Sequence, residues 1–461
     1  MNSRSKPLVT IIGAGITGLV TAFYLKKQGI PFKILEKSSR AGGVIQTKQK
    51  AGFIYEKGPN TGVLSNPEVA ELFEDLKGKC KLETADKTAA IRYVWKGKNW
   101  QPLPSGIIAG IKTPLFSMGD KLRILGEPFR GKGNNPHETL ADLVKRRMGK
   151  SFLEYAIDPF ILGIYAGDPD YLVPKYALPK LYNLEQQYGS FLGGAIQKKL
   201  KEKDERNKKA TRRVFSVEGG LENLVKALSL ETQHSLELDC EAVRICPVNN
   251  KYQITYIQNG NSISLETDYV ISTIGAHQLN KTFGFLAHDS LIKITNLEYA
   301  KVVEITLGFN HWEGFPLKGF GGLVPFKEQR DILGVLFMSS FLKNRAPLGG
   351  ALLTIFTGGV RRPELTELDD EQLMKIVEKE MRSMMQMMDF NPDLIELSRY
   401  NHAIPQYGVT SGERFEAIKK IEEQFPGIIL AGNIRDGIGM ADRIKQARTI
   451  AETIGANIQK N

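Results

Sequence analysis

Gly13, Gly15 and Gly18 stand in the spacing Gly-x-Gly-x-x-Gly, and an acidic residue, Glu36, follows eighteen positions after the last of them. These residue types at this spacing can hold a dinucleotide. Gly13 permits a tight turn, Gly15 lets a pyrophosphate reach the backbone, Gly18 lets a helix lie close on a strand, and Glu36 can accept hydrogen bonds from a ribose. Ile16 and Thr17 fall where a helix N-terminus offers unpaired N–H groups and the positive end of its dipole to an anion. The glycines alone would also suit an ordinary turn, so the reading rests on the elements around them. Val9-Thr-Ile-Ile12 is an apolar run that reads as a strand, Leu19 to Gln28 as an amphipathic helix, and Phe32-Lys-Ile-Leu35 as a second strand ending at Glu36. This is the βαβ order of a nucleotide cradle.

Lys37, Arg40, Gly42, Gly43 and Val44 come next, then Glu56-Lys-Gly58-Pro59-Asn60-Thr61. Gly42 and Gly43 would let the backbone run flat against a flavin or a pyrophosphate. Arg40 could neutralise a phosphate, or it could be a solvated loop arginine. An acidic residue, an arginine and a Gly-Gly pair just after the second strand resemble the flavin-containing amine oxidase superfamily. The resemblance implies FAD rather than NAD. It also implies FAD contacts at Val243, Gly432, Asn433, Ile438, Gly439 and Met440.

The chain has 461 residues, a net charge of +11 and a pI of about 9.2. That length suits two or three domains with a large core. The charge suits an acidic small molecule, an anionic membrane surface or nucleic acid. No RNA-binding signature and no basic helix interleaved with stacking aromatics is present, so nucleic acid is not expected as a partner. Cys80, Cys240 and Cys246 give neither a disulfide framework nor a metal spacing, and the six histidines are scattered; no metal is expected, and a reducing compartment fits. Met1 to Pro7 run straight towards the first strand, and no stretch reaches the roughly eighteen apolar residues of a membrane span. The expectation is a cytoplasmic protein, soluble or resting peripherally on the inner face of a membrane.

A helix is expected from Pro67 to Lys77, and a hairpin over Ala89 to Trp95 and Trp100 to Leu103. From Pro104 to about Lys201 the pattern is mostly helical, with segments Leu115 to Leu125, Leu140 to Met148 and Ser151 to Asp158. Apolar turns around Ile107, Ile108, Ile111, Leu115 and Phe116, close to Lys112, Lys121 and Arg123, read either as a membrane-facing surface or as ordinary core. Lys198 to Arg213, with nine Lys or Arg and three Asp or Glu, reads as a solvated, mobile connection. A second alternating block follows, with strands Val302 to Phe309, Ile332 to Phe337 and Leu352 to Thr357 and a helix from Asp370 to Met388, whose methionines read as core filling. Residues 1–85, 211–290 and 400–461 are therefore read as one Rossmann-like α/β domain. It is interleaved with an α+β, mixed-sheet substrate domain over 86–100 and 291–399 and a helical subdomain over 101–210.

Further motifs narrow the resemblance. Phe160-Ile-Leu-Gly163-Ile-Tyr165-Ala-Gly167-Asp-Pro169, Gly319-Phe-Gly-Gly-Leu323-Val-Pro325, Ile332-Leu-Gly-Val-Leu336-Phe337, Asn344-Arg-Ala-Pro347 and Ala403-Ile-Pro-Gln-Tyr407 are similar to the oxygen-dependent protoporphyrinogen oxidase family. That resemblance implies six-electron oxidation of a porphyrinogen in haem synthesis, with oxygen as acceptor. It implies that Arg92 pairs with a substrate propionate, that the backbone at Gly163 faces a pyrrole, and that Leu323, Leu336 and Phe356 clamp the macrocycle. Read without the family, the two leucines and Phe356 are plain core and Arg92 is a hairpin arginine. Coproporphyrinogen III as substrate stays open, as does a homodimer. Lys301 lies near where many amine oxidases place a lysine that holds a water at the flavin, which keeps an amine or polyamine oxidase open. Against it, Ile438 stands where an amine cage would have an aromatic residue. A non-catalytic FAD protein that carries porphyrin is the remaining alternative.

Overall fold

The computed structural model describes residues 7–200 and 204–460. Five parallel strands lie in the spatial order Leu236–Glu237, Phe32–Leu35, Val9–Ile12, Tyr269–Ser272, Ile428–Leu430. Val9–Ile12 is central and buried at every position, which is why it is an unbroken apolar run rather than an alternating one. One face is covered by the helices Ile16–Lys27, Glu222–Thr232 and Met440–Lys460, whose Leu19, Phe23, Leu224, Leu228, Ile444 and Ile454 share a core. The other face meets Ala417, Ile418 and Ile421 of the helix Ser411–Gln424, with a three-stranded sheet beside it. That sheet, Glu241–Val248, Lys251–Gln258 and Asn261–Thr267, turns on Asn259 and Gly260, both at positive φ, as a two-residue hairpin demands.

The first helix begins at Ile16, three residues earlier than expected. Gly18 lies inside it because packing forbids a side chain there: a Cβ would sit 2.1 Å from the Gly13 carbonyl oxygen.

A seven-stranded mixed sheet stands opposite. Its order is Leu394–Pro405, Tyr299–Phe309, Ala351–Gly358, Gly334–Leu336, Gly321–Leu323, Arg92–Lys96, Asn99–Pro102. Side chains alternate across it. Val303, Ile305, Leu307, Val335, Leu353 and Ile355 pack against Val377, Met381 and Met384 of the helix Asp370–Met384. That helix starts at an Asp369–Gln372 capping box and stops four residues short of the expected Met388, with Gln386 at φ 56°. Met388 is exposed, whereas Met381, Met384, Met385 and Met387 are buried.

Residues 107–200 form the helical unit, with Met118–Leu125, Leu140–Arg147, Asp158–Tyr165 and Pro179–Tyr188 among its helices. Its core includes charge: Arg147 donates to Glu127 at 2.6 Å and to Glu185 at 3.0 Å, all three fully buried. Glu127 also accepts from Ser190 Oγ and from the backbone N–H groups of Phe191 and Leu192, so no oxygen is left unpaired. Of the apolar residues read as a membrane face, Leu115 and Phe116 are buried in core instead, while Ile108 and Ile111 are exposed together with Met118, Leu122, Leu125 and Phe129. The side chain of Ile107 lies outside the described residues.

The basic segment 198–213 is partly docked rather than free. Glu205–Lys208 is a helical turn in which Arg206 pairs with Glu68 at 2.9 Å and Glu71 at 2.8 Å, and Lys209 pairs with Glu74 at 2.6 Å. Acidic residues of the helix Pro67–Asp75 supply the partners that charge counting along the chain does not see. Residues 201–203 lie outside the described residues.

Candidate active site

Between the carboxyl ends of the parallel strands and the mixed sheet runs a cavity of about 2150 Å³. A single ligand pocket is usually roughly 300–1,000 Å³, so this volume accommodates two large ligands end to end. At one end lie Gly13, Gly15, Ile16, Thr17, Glu36, Lys37, Gly42, Gly43, Val44, Gly58, Pro59, Asn60, Thr61 and Val243, with Gly432, Asn433, Ile438, Gly439 and Met440. Topology explains the gathering: most come from loops that leave strands or from the helix starts that follow them, where ligands bind in open α/β sheets, and Val243 comes from the strand Glu241–Val248.

The cradle has the chemistry of an anion site. Gly15 is the N-cap of the first helix and no side chain caps that end, which leaves the first-turn N–H groups for a ligand. A Cβ built on Gly15 meets nothing within 4 Å, so the space in front of it belongs to the cavity. Glu36 is buried and held in place by Ala14 N–H at 2.7 Å and Ser38 N–H at 2.9 Å. Two of the expected residues are placed differently. Gly18 faces Gly13, not the cavity. Arg40 turns its guanidinium onto the carbonyls of Ala41 (3.1 Å), Ile45 (3.2 Å) and Gly43 (2.6 Å), so it shapes the loop around Gly42 and Gly43 instead of reaching a phosphate.

At the other end, two neighbouring rows across the mixed sheet face inward. Register places Glu304, Phe356, Gly334 and Leu323 in one row, and Thr306, Thr354, Leu336, Gly321 and Arg92 in the next. Arg92, Leu323, Leu336 and Phe356, which lie far apart in the chain, therefore share one wall. Gly163, on the helix Asp158–Tyr165, closes over it; a Cβ there would lie 2.5 Å from the Leu323 side chain. Arg92 lies over the Phe320 ring at 5.3 Å and forms no ion pair among the described residues. It stays accessible while desolvation pulls its guanidinium below the usual range, the combination expected of a charge on a concave wall.

Lys301 points away. It alternates with Ala300 and Val302, stands outside the cavity and pairs with Glu367 at 2.7 Å. The amine oxidase reading thereby loses the lysine on which it rested.

The cavity also contains residues that the sequence reading passed over: Glu304, Arg443, Tyr400, Arg212, and His277 stacked on His402 at 4.0 Å. An acid inside the apolar run Val302-Val-Glu-Ile was a legible signal for Glu304. Arg443 lies one turn into the last helix, buried, and donates to Gln446 at 2.8 Å and to the Arg435 carbonyl at 2.8 Å, while its Nε has no partner. Open space before Gly15, an uncapped helix end and an orphaned buried guanidinium nitrogen together fit an anionic dinucleotide such as FAD.

Comparison with known proteins agrees. The chain is 30% identical over 476 residues to "Protoporphyrinogen oxidase, mitochondrial" of Nicotiana tabacum, covering 97% of this chain and 94% of that protein. It is 26% identical to "Coproporphyrinogen III oxidase" of Bacillus subtilis, covering 97% of each. A solved structure from Exiguobacterium, 24% identical, superposes with a TM-score of 0.81 over 98% of this chain and 99% of that one, which shows a shared fold. The family described as flavin containing amine oxidoreductase matches residues 16–454, and the chain belongs to it.

Proposed function

We propose that the chain is an FAD-dependent porphyrinogen oxidase that converts protoporphyrinogen IX to protoporphyrin IX, a six-electron oxidation with oxygen as acceptor, in haem synthesis. The observation that carries this reading is the inward wall of Leu323, Phe356 and Leu336 with Arg92 in the same row as Leu336, set opposite the glycine cradle. A porphyrinogen is a broad apolar ring with carboxylates at its edge, and it needs such a wall with a cation beside it. The relative from Nicotiana tabacum carries the name of this activity.

FAD supplies the hydride acceptor when bound. The chain's own residues bind and orient. Gly13, Gly15 and the first turn of the helix from Ile16 hold the pyrophosphate, Glu36 the ribose, and Gly42, Gly43, Gly58, Asn60 and Gly439 the remaining length. Leu323, Leu336, Phe356 and the backbone at Gly163 set the ring against the cofactor and exclude water, and Arg92 fixes it through a propionate. Rate then derives from positioning rather than from a strong base.

Coproporphyrinogen III is the second reading. Arg212 lines the cavity as well as Arg92, a second cation for a substrate with more carboxylates, and the Bacillus subtilis relative is named for that substrate. Aerobic turnover of both porphyrinogens on the same yellow protein, followed by porphyrin fluorescence and peroxide, tests the proposal. Preference for the first substrate is expected; preference for the second moves the enzyme to the other substrate, and turnover of neither overturns both readings.

The same proposal includes a peripheral membrane contact. Ile108, Ile111, Met118, Leu122, Leu125 and Phe129 point outward beside Lys112, Lys121, Arg123 and Arg130, and no helix among the described residues is long and apolar enough to cross a bilayer.

A further inference from the structure

Glu304 is 2% exposed, lies on the cavity wall and shares a row of the mixed sheet with Phe356 and Leu323. One oxygen accepts from Gly58 N–H at 2.9 Å and the other from Asn60 Nδ2 at 2.5 Å; Asn60 Oδ1 in turn accepts from Thr354 Oγ1 at 3.0 Å. Tyr400 bonds to the carboxyl as well. All of these partners are neutral. Glu304 forms no ion pair among the described residues, whereas the buried acids Glu56, Glu127 and Glu185 each have an arginine; Glu36, at the other end of the cavity, is like Glu304 in having neutral partners only. Of the groups facing it, Glu56 on the strand Phe53–Lys57 is a like charge, Tyr400 on Leu394–Pro405 is a phenol held up by burial and by Glu304 itself, and the neighbouring strand Ala351–Gly358 offers the hydroxyl of Thr354. Arg40 acts on Tyr400, one step removed.

We propose that Glu304 is a positioning residue that holds the Gly58–Asn60 turn and stores a proton: it takes one up when electrons reach the flavin and returns it when oxygen removes them. The inference rests on the flavin reading, because it needs the cofactor beside Gly58 and Asn60. Two consequences follow from elementary electrostatics. A buried carboxylate beside the cofactor disfavours added electrons, and added electrons in turn favour protonation of the carboxylate. Burial already pushes the Glu304 carboxyl up to about 7, so a modest further push protonates it at neutral pH. The balance closes over each turn. A porphyrinogen gives up a hydride from carbon and a proton from nitrogen. Oxygen leaves as peroxide with both electrons and two protons, so the proton held on Glu304 is returned and none is lost.

The test uses flavin-loaded protein without porphyrinogen: the flavin midpoint potential is measured by dye equilibration from pH 6 to 8 in wild type, Glu304→Gln and Glu304→Asp. Glu304→Gln should favour reduction about fivefold over wild type at pH 8, the value for a coupling of about one pK unit, and the two curves should converge towards pH 6. Parallel or superimposed curves overturn the proposal. Should Glu304→Gln lose flavin, Glu304→Asp decides: a bend near neutral pH must persist there, and its absence in flavin-loaded Asp protein overturns the proposal. Wild-type protein that holds no flavin would overturn the flavin reading itself, an outcome distinct from any of these.

Discussion

A single methyl group distinguishes ligand binding from folding at Gly15. Because a Cβ there meets no protein atom within 4 Å, a side chain at this position obstructs the ligand and not the fold. Gly15→Val is expected to purify folded and colourless; a variant that stays yellow at full stoichiometry would show that no pyrophosphate passes here. Arg92 carries the complementary prediction. It has no ion-pair partner to lose, so Arg92→Ala should keep FAD while lowering kcat/KM for a porphyrinogen by roughly ten- to hundredfold, from the loss of about 1.5–3 kcal/mol for a charge-assisted hydrogen bond. An unchanged kcat/KM would remove it from the site. Glu304 leaves a mark on stability too. Its folded-state value is raised above the ordinary 4.5, so the folded chain holds a proton that the unfolded chain releases. The stabilisation is complete below the unfolded value and is lost as pH rises through about 7. Denaturant midpoints of wild type and Glu304→Gln should therefore differ in slope between pH 5 and 7.

Elements decide which of these residues could be read from sequence. The glycine cradle was legible because its spacing is local: turn, helix end and acidic residue lie within 24 residues, Gly13 to Glu36. The inward wall was not legible from pattern alone. Arg92, Leu323, Leu336 and Phe356 meet only through strand register, and without family resemblance each reads as hairpin or core. The edge strand Leu394–Pro405, rich in polar residues and without clean alternation, escaped the reading, and Tyr400 and His402 with it. Arg40 was misplaced because charge alone does not reveal that three carbonyls lie within its reach. The helical unit shows the same lesson in its core, where Arg147 joins Glu127 and Glu185 across 20 and 38 positions of chain. Removing Arg147 leaves Glu127 buried with no ion-pair partner among the described residues, so Arg147→Ala should destabilise the protein by about 3–5 kcal/mol, measured by chemical denaturation. A change below about 1 kcal/mol would mean that the network is hydrated in solution. On the outside of the same unit, Leu122→Asp with Leu125→Asp should abolish sedimentation with anionic lipid vesicles and leave turnover of soluble porphyrinogen intact. Equal sedimentation of this variant and wild type would dismiss the membrane contact.

Across the whole molecule, the parallel sheet is assembled from strands at residues 9–12, 32–35, 236–237, 269–272 and 428–430, with five of the mixed sheet's strands inserted between the last two visits and the other two, Arg92–Lys96 and Asn99–Pro102, between the second and third. The cavity takes lining residues from these strands or from the loops that follow them, among them Ile12, Leu35, Cys240, Thr273 and Gly432, and from the mixed sheet as well. A ligand that fills it therefore ties together segments that the chain order keeps apart, and its binding energy adds to the stability of the whole fold instead of to one domain. Linkage gives the size: at a free FAD concentration of 100 Kd the folded state gains about 2.7 kcal/mol, and about 4.1 kcal/mol at 1,000 Kd. Stripping FAD should accordingly lower the melting temperature of the parallel-sheet and mixed-sheet signals together, and adding it back should raise both with its concentration. Trp95 and Trp100, buried in the mixed sheet, report on that sheet by fluorescence, while far-ultraviolet circular dichroism reports on the helices. Coincident shifts on the two probes are the expected result. If FAD moved the circular dichroism transition and left the tryptophan transition in place, the cofactor would be held by the parallel-sheet half alone, and the inward wall of Arg92, Leu323, Leu336 and Phe356 would not be part of one site with it.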